Sequence, residues 1–97
     1  MKIQFIIFIT ILLYSCGKTP KADFTWSPAN PKAGVEMQFI NLSKDAKKYD
    51  WNFGDMSIGK GKDPLHTYSN AGNYIIDLTA HNGLSSNTKT LTITVIP

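Results

Sequence analysis

The sequence contains one cysteine, two histidines and no arginine. A single thiol excludes an intrachain disulfide and any zinc site built from several cysteines, and two histidines are too few for most zinc sites. Without arginine, a net charge of only +3 argues against nucleic-acid binding, which depends on many cationic phosphate contacts. We therefore expect no metal site, no cofactor and no nucleic-acid partner.

The sequence also lacks an apolar run long enough to cross a membrane. Its longest run, residues 3–14, would span about 18 Å as a helix, against about 30 Å for a bilayer core. The run follows Lys2, and a short apolar segment behind a positive start is typical of a secretory signal. We therefore predict a cleaved signal peptide, and the resemblance described next implies that it comprises residues 1–15.

The end of this run, Leu13-Tyr14-Ser15-Cys16, resembles a bacterial lipobox, in which a small residue precedes an acylated cysteine. The resemblance implies a diacylglyceryl group on Cys16 and an exported protein anchored by lipid in the bacterial cell envelope. We expect the outer membrane, with the domain facing the periplasm or the cell surface. Two or three acyl chains anchor a protein stably. An ordinary signal peptide with an incidental cysteine is the alternative.

Residues 16–22 comprise the lipidated Cys16 and a short linker of small, polar and proline residues, Gly-Lys-Thr-Pro-Lys-Ala. Six linker residues reach at most roughly 20 Å when extended. The domain that follows is therefore expected to lie close to the membrane surface.

Residues 23–97 show a period of two rather than the helical period of 3.6. Apolar and polar residues alternate in five runs, at residues 24–26, 37–39, 49–53, 74–80 and 91–95. Turn signals separate them, among them Ser27-Pro28 and the hairpin-forming pair Asn82-Gly83. This pattern predicts an all-β domain, a small antiparallel β-sandwich of five or six short strands filled by aromatic side chains.

Residues 49–55, Tyr-Asp-Trp-Asn-Phe-Gly-Asp, resemble the central signature of the PKD (polycystic kidney disease) domain. The segments 64–68, 72–74 and 92–95 resemble other parts of the same family pattern, whereas Met56 stands where the family usually has glycine. The resemblance implies an immunoglobulin-like sandwich, an extracellular location and no catalysis. It also implies a role in protein–protein or protein–carbohydrate contact.

The alternation predicts which side chains face outward. On one sheet these are Ile75, Asp77, Thr79 and Thr92, which together form a candidate docking face, with a plain solvated sheet as the alternative. Trp26 comes just before Ser27-Pro28, at a strand end, where an aromatic side chain could be partly exposed.

Few residues offer catalytic or metal-binding chemistry. Asp50 begins a weak likeness to a calcium loop, but the twelfth position, which needs glutamate, is Gly61. Asp55 is expected to accept backbone N–H groups in its own turn. His66 is expected to make a structural hydrogen bond, and His81 to be solvated on the outer face. No motif brings together a serine, a histidine and an acid.

We therefore expect a non-enzymatic, lipid-anchored binding or assembly module close to the outer membrane. Its partners would be the membrane, through the anchor, and an outer-membrane or envelope protein. The alternative is a carbohydrate-binding or adhesive surface protein that contacts polysaccharide. Exposed aromatic side chains would favour that alternative, whereas burial of both tryptophans would count against it.

Overall fold

The computed structural model describes residues 18–97, so the predicted signal peptide and Cys16 lie outside the described part. This part has seven strands and no helix, and accordingly no helix in it could cross a membrane. The strands are β1 (Phe24–Ser27), β2 (Met37–Asn41), β3 (Lys48–Asn52), β4 (Ile58–Gly59), β5 (Leu65–His66), β6 (Gly72–Asn82) and β7 (Ser85–Val95).

The strands form two sheets, one ordered β1-β2-β5 and one ordered β4-β3-β6-β7. Every neighbouring pair is antiparallel, which confirms the predicted all-β sandwich. The strands are less uniform than predicted, because β6 and β7 each have eleven residues while β4 and β5 have two. The long β6–β7 hairpin supplies most of the larger sheet.

Aromatic side chains fill the space between the sheets. Trp51 is only 2% exposed, and its ring lies 5.2 Å from the ring of Phe24 and 5.3 Å from that of Phe39. Tyr68, which lies outside the five alternating runs, is fully buried, and its hydroxyl donates to the Phe53 carbonyl oxygen at 2.8 Å. The remaining buried members are Ala22, Met37, Phe53, Ile76, Leu78, Ala80, Ile93 and Val95. Every buried residue of this cluster lies within residues 22–95.

The tyrosines at the margins of the core are less buried than their alternation predicts. Tyr49 and Tyr74 are half-buried and pack against the core rather than within it. The Tyr74 hydroxyl donates to the carbonyl oxygen of Asn70 at the surface, so its polar end stays accessible to water. A phenol near a sheet end can keep its ring in the core and its hydroxyl outside.

The β6–β7 hairpin turns at Gly83 and Leu84, because Asn82 pairs with Ser85. The sequence correctly predicted a hairpin here, but with Asn82-Gly83 at its centre. Gly83 instead takes the first central position with φ of 63°, a position that favours glycine in two-residue turns. The shift leaves the side chain of Leu84 fully exposed at the tip.

Residues 18–22 pack on the domain, which differs from the predicted free linker. Lys21 exchanges two backbone hydrogen bonds with Lys44, and the Ala22 N–H donates to Asn87 Oδ1 at 2.8 Å. The amide of Asn82 donates to the Lys18 carbonyl oxygen at 3.0 Å. The small apolar residues Pro20 and Ala22 are buried, and their burial offsets the cost of ordering the segment.

The sandwich therefore has two distinct ends. We call the hairpin end the one that carries the β6–β7 turn, the β2–β3 loop and residues 18–22. We call the signature end the one that carries residues 53–57, just after β3. Backbone pairing of Lys32 with Ile96 places the last strand's end there as well.

Candidate functional site

The four residues of the predicted docking face lie on one side of the larger sheet. Ile75, Asp77 and Thr79 alternate along β6, and Ile75 lies opposite Thr92 on β7. The side chain of Ile75 is 61% exposed, and Thr92 is exposed beside it. The sequence therefore located this surface correctly, because a period of two fixes which side chains share a face.

Two of the four residues are held by neighbouring side chains. Thr90 donates a hydroxyl hydrogen bond to Asp77 Oδ1, and the hydroxyls of Thr79 and Thr88 lie 2.9 Å apart. These cross-strand contacts leave Asp77 and Thr79 half-buried. The apolar surface at this site is therefore supplied by Ile75, with the polar groups arranged around it.

Gly54 brings the end of β3 against the backbone of Ile75. It has φ of 84°, and a Cβ atom built on it would lie 2.4 Å from the Ile75 carbonyl oxygen. Any side chain at position 54 would collide with this backbone as well as strain its own. The signature glycine thus fixes the backbone on which Ile75 is displayed.

Further exposed apolar side chains were missed by the sequence reasoning. Ile58, on edge strand β4, is 73% exposed, and it pairs with Asn52 in the larger sheet. On the smaller sheet, Ile40, Leu42 and Leu65 are exposed, with Leu65 at 57%. The exposure of Ile40 could have been predicted from the sequence, because Phe39 points inward and its neighbour on the strand must point outward.

The hairpin end carries a broad depression of about 880 Å³. It is lined by Lys47, Lys48, Tyr49, Asp50, Lys60, Lys62, His81 and Gly83. Among these lysines, only Lys47 and Lys48 are adjacent in the sequence. Lys60 and Lys62 come from the β4–β5 loop, which returns beside β3, and sequence spacing does not reveal that return.

Asp50 lies among these lysines and is paired on both of its oxygens. Lys60 Nζ lies 3.0 Å from Oδ1, and His81 Nε2 lies 2.8 Å from Oδ2. Hydrogen bonds from Lys60 and His81 hold the pKa of Asp50 below its usual value. His81 lies on the outer face as predicted, but it is bonded to Asp50 rather than simply solvated.

Asp55 forms a second, more buried cluster at the signature end. It accepts hydrogen bonds from the Ser57 backbone and hydroxyl, and from His66 Nε2 at 2.8 Å. Burial acts to raise the pKa of Asp55, but hydrogen bonds from Ser57 and His66 outweigh it and lower that pKa. The expected turn bond and the structural histidine are both confirmed.

His66 also completes an aromatic stack. Its ring lies parallel to that of Phe53, with centroids 4.2 Å apart, and edge-on to that of Tyr68 at 4.6 Å. Phe53 follows β3 and His66 belongs to β5, so the contact joins the two sheets. Burial raises the pKa of Tyr68, which keeps its hydroxyl protonated as a donor.

The tryptophans do not form an exposed platform. Trp51 is buried, and its indole N–H donates to the Gly61 carbonyl oxygen at 2.8 Å. Trp26 is half-buried, packs against Phe24 and Phe39, and directs its N–H to the Ala29 carbonyl oxygen at 3.4 Å. Within residues 18–97, no phenylalanine, tyrosine or tryptophan is in the exposed class.

A family model described as "PKD domain" matches residues 18–95, which is most of the chain. The chain belongs to the PKD domain family. The match begins at Lys18, the first residue that the structure describes, and it includes the docked segment that precedes β1. The predicted resemblance is thereby confirmed.

Solved structures agree with this family assignment. The chain is 28% identical to the PKD1 domain of Vibrio anguillarum Epp, with a TM-score of 0.72, covering 84% of this chain and 99% of that one. It is 26% identical to the PKD1 domain of the Vibrio cholerae metalloprotease PrtV, with a TM-score of 0.71, covering 82% and 100%. In both cases the match covers essentially the whole of the solved chain.

A third similar structure comes from work on carbohydrate-binding modules of the β-sandwich superfamily and their promiscuous specificity. It is 31% identical, with a TM-score of 0.78, and the match covers 82% of this chain but 35% of that one. This chain therefore spans about a third of that relative. Together with the PKD domains, it supports a binding or adhesive module, and domains of both kinds are typically non-catalytic.

The described residues offer no ready-made metal centre. Within residues 18–97, no group of three or more histidine, cysteine or acidic side chains is placed to hold a metal ion. The Asp50 and Asp55 clusters each pair one carboxylate with one histidine. The main exposed features of residues 18–97 are the Ile75 face, the apolar side chains of the smaller sheet and the lysine-lined depression.

Proposed function

We propose that this PKD domain is a non-enzymatic binding module of the bacterial cell envelope, anchored by lipid on Cys16 and contacting a protein in the same membrane. The anchor rests on the lipobox-like Leu13-Tyr14-Ser15-Cys16. The family and the similar structures support binding as the general activity. We place the module in the outer membrane.

One observation carries the choice of a protein partner, which is the exposed Ile75 on the outer face of the larger sheet. A β-branched side chain 61% exposed on a regular ladder offers apolar area that a protein can bury. Thr92 and the bonded Asp77 surround it with polar groups. An apolar centre within a polar rim is the usual anatomy of a protein interface.

Carbohydrate binding is the second candidate, and it rests on the similarity to the structure of carbohydrate-binding modules. Sugar sites commonly present aromatic rings, because a flat ring packs well against a pyranose face. Within residues 18–97, both tryptophans are withdrawn into or against the core. The burial of Trp51 and the half-burial of Trp26 favour the protein partner over polysaccharide.

The test compares two lysine substitutions on opposite faces of the same domain. The full chain, with Ile75→Lys or with Leu65→Lys as the matched control, is captured from detergent-solubilised membranes. We expect Ile75→Lys to reduce the recovered partner at least roughly tenfold, as loss of a central apolar contact does. Leu65→Lys should leave recovery unchanged, and intact-mass measurement should show the acyl groups on Cys16.

The outcomes separate the candidates. Equal recovery by Ile75→Lys and the parent would refute the Ile75 face as the docking surface, and a specific loss with Leu65→Lys would move that surface to the smaller sheet. An unmodified thiol at Cys16 would refute the anchor. Binding of purified envelope polysaccharide that both variants retain, with no co-purifying protein, would favour the carbohydrate alternative.

A further inference from the structure

Charge is distributed unevenly between the two ends of the sandwich. Seven of the nine lysines in residues 18–97 lie at the hairpin end, namely Lys18, Lys21, Lys44, Lys47, Lys48, Lys60 and Lys62. Four aspartates share that end, namely Asp23, Asp45, Asp50 and Asp63. The hairpin end therefore has a net charge of +3, while the two lysines and three acids elsewhere give −1.

The depression at the hairpin end concentrates this positive charge. Asp50 is already occupied by Lys60 and His81. Within residues 18–97, Lys47, Lys48 and Lys62 form no ion pair, although all three line the same depression. Three unpaired ammonium groups around one concave surface favour an anionic ligand with several charges.

Leu84 adds an apolar element to the same end. It is fully exposed at the tip of the β6–β7 turn, next to Gly83, which lines the depression. A leucine at this position contributes nothing to the core and would be disfavoured in water. Basic side chains around a protruding apolar one are typical of surfaces that bind at the boundary between lipid headgroups and acyl chains.

A lipid on Cys16, which belongs to the proposed function, would lie beside this surface. The Lys18 carbonyl oxygen is bonded to Asn82, the residue that closes the hairpin turn. Only Gly17 separates Lys18 from Cys16 in the sequence, so the two residues span about 7 Å at most. An acyl group on Cys16 would therefore enter a membrane close to Leu84 and the depression.

We propose that the hairpin end is a membrane-docking surface that binds the phosphate groups of anionic lipids through Lys47, Lys48 and Lys62, with Leu84 inserted among the headgroups. This surface fixes the orientation of the domain on the membrane, which a lipid on Cys16 alone would leave free. It deepens the proposed function, on whose placement beside a membrane it rests. Leu84 and the closeness of Cys16 favour lipid over an anionic polysaccharide, which would use the lysines alone.

The test uses residues 18–97 without any acyl group. This part contains every buried residue of the described core, and the two Vibrio PKD1 domains were each solved as a chain that this domain almost fills. Binding is measured by flotation with vesicles of phosphatidylcholine alone, or with roughly a third of phosphatidylglycerol. We expect binding to the anionic vesicles only, with a steep loss as salt is added.

Two variants of equal charge locate the surface. Lys48→Gln with Lys62→Gln should weaken binding to anionic vesicles by roughly tenfold or more, because each surface lysine contributes to headgroup attraction. Lys32→Gln with Lys89→Gln removes the same charge outside the hairpin end and should change binding less than about twofold. Leu84→Ser should weaken binding by roughly tenfold without altering thermal stability.

The proposal is overturned if both lysine pairs weaken binding equally, if neutral vesicles bind as well, or if Leu84→Ser binds like the parent. Retention on an immobilised anionic polysaccharide without vesicle binding would also overturn it and assign the lysines to glycan. Because no acylated protein or protein partner takes part, this failure is distinguishable from failure of the Ile75 interface. Conversely, loss of the protein partner would leave the vesicle result intact.

Discussion

Two aspartate–histidine pairs near opposite ends of the sandwich have the same geometry and different surroundings. The nitrogen–oxygen distance is 2.8 Å both for His81 with Asp50 and for His66 with Asp55. The side chains of the first pair are 33% and 49% exposed, and those of the second 14% and 22%. The first pair lies in the lysine-lined depression, and the second lies between the sheets.

The difference shows that the surroundings of an ion pair decide its contribution. Water and nearby lysines screen the pair of Asp50, so its role is to shape the surface charge. The pair of Asp55 is shielded, and His66 also stacks on Phe53. We therefore expect the signature-end pair to stabilise the fold and the hairpin-end pair to affect stability little.

The largest expected effect comes from truncating Trp51, the core side chain that lies between the two paired aspartates along the chain. Trp51→Ala should destabilise the domain by about 3–5 kcal/mol, because it leaves a large cavity and orphans the Gly61 carbonyl oxygen. That is most of the stability of a small domain. Urea unfolding followed by circular dichroism measures it. A loss below about 1 kcal/mol would show that Trp51 is not a core residue.

An intermediate effect separates the two histidines directly. His66→Ala should cost about 2 kcal/mol, since it removes the stack on Phe53 and leaves the partly buried Asp55 carboxylate with fewer donors. His81→Ala is the matched control and should cost about 0.5 kcal/mol or less. If urea unfolding shows equal losses of unfolding free energy for the two variants, the expectation that the signature-end pair stabilises the fold more than the hairpin-end pair is wrong.

The smallest expected effect is on how the free energy of unfolding decreases as the pH becomes acidic. Despite the opposing effect of burial, hydrogen bonds from Ser57 and His66 hold the folded-state pKa of Asp55 below its ordinary value of 3.8, so its carboxylate is favoured in the folded protein. This stabilisation is fully present above about pH 4, and it is lost as the pH falls through the lower, folded value.

Unfolding free energies measured from neutral pH to about pH 2 should therefore fall less steeply for Asp55→Asn than for the parent. The matched variant Asp50→Asn should reduce the pH dependence of the unfolding free energy less than Asp55→Asn does. Its effect should vanish in about 0.5 M salt, because Asp50 is half-exposed. A salt-sensitive effect at Asp55 would indicate that this carboxylate is as solvated as Asp50.

Much of the architecture was predictable because alternation is a local property. The inward side of Trp51 and the outward side of Ile75 follow from a period of two, and the signature around Gly54 indicated the family. A turn bond to Asp55 and a structural hydrogen bond of His66 were each anticipated, but their bond to each other was not. The docking of residues 18–22 on the domain was not predicted, because the polar composition of this segment gave no indication that Pro20 and Ala22 are buried.

The lysine-lined depression was beyond sequence reasoning because it is assembled from separate loops. Lys48 begins β3, Lys62 lies after β4, and His81 ends β6. Their proximity depends on sheet order and on the path of the β4–β5 loop, neither of which has a local pattern. The position of Leu84 at the tip likewise depended on the exact register of β6 with β7.

The contact between Gly54 and the Ile75 backbone has a consequence for sequence drift. Position 54 accepts no side chain, since both its φ and the 2.4 Å approach forbid one. The side chain of Ile75 points away from that contact and is free to change. In a saturation library selected only for folding, position 54 should remain glycine while position 75 diversifies. A new binding preference can then arise beside a position that must remain glycine, without disturbing it.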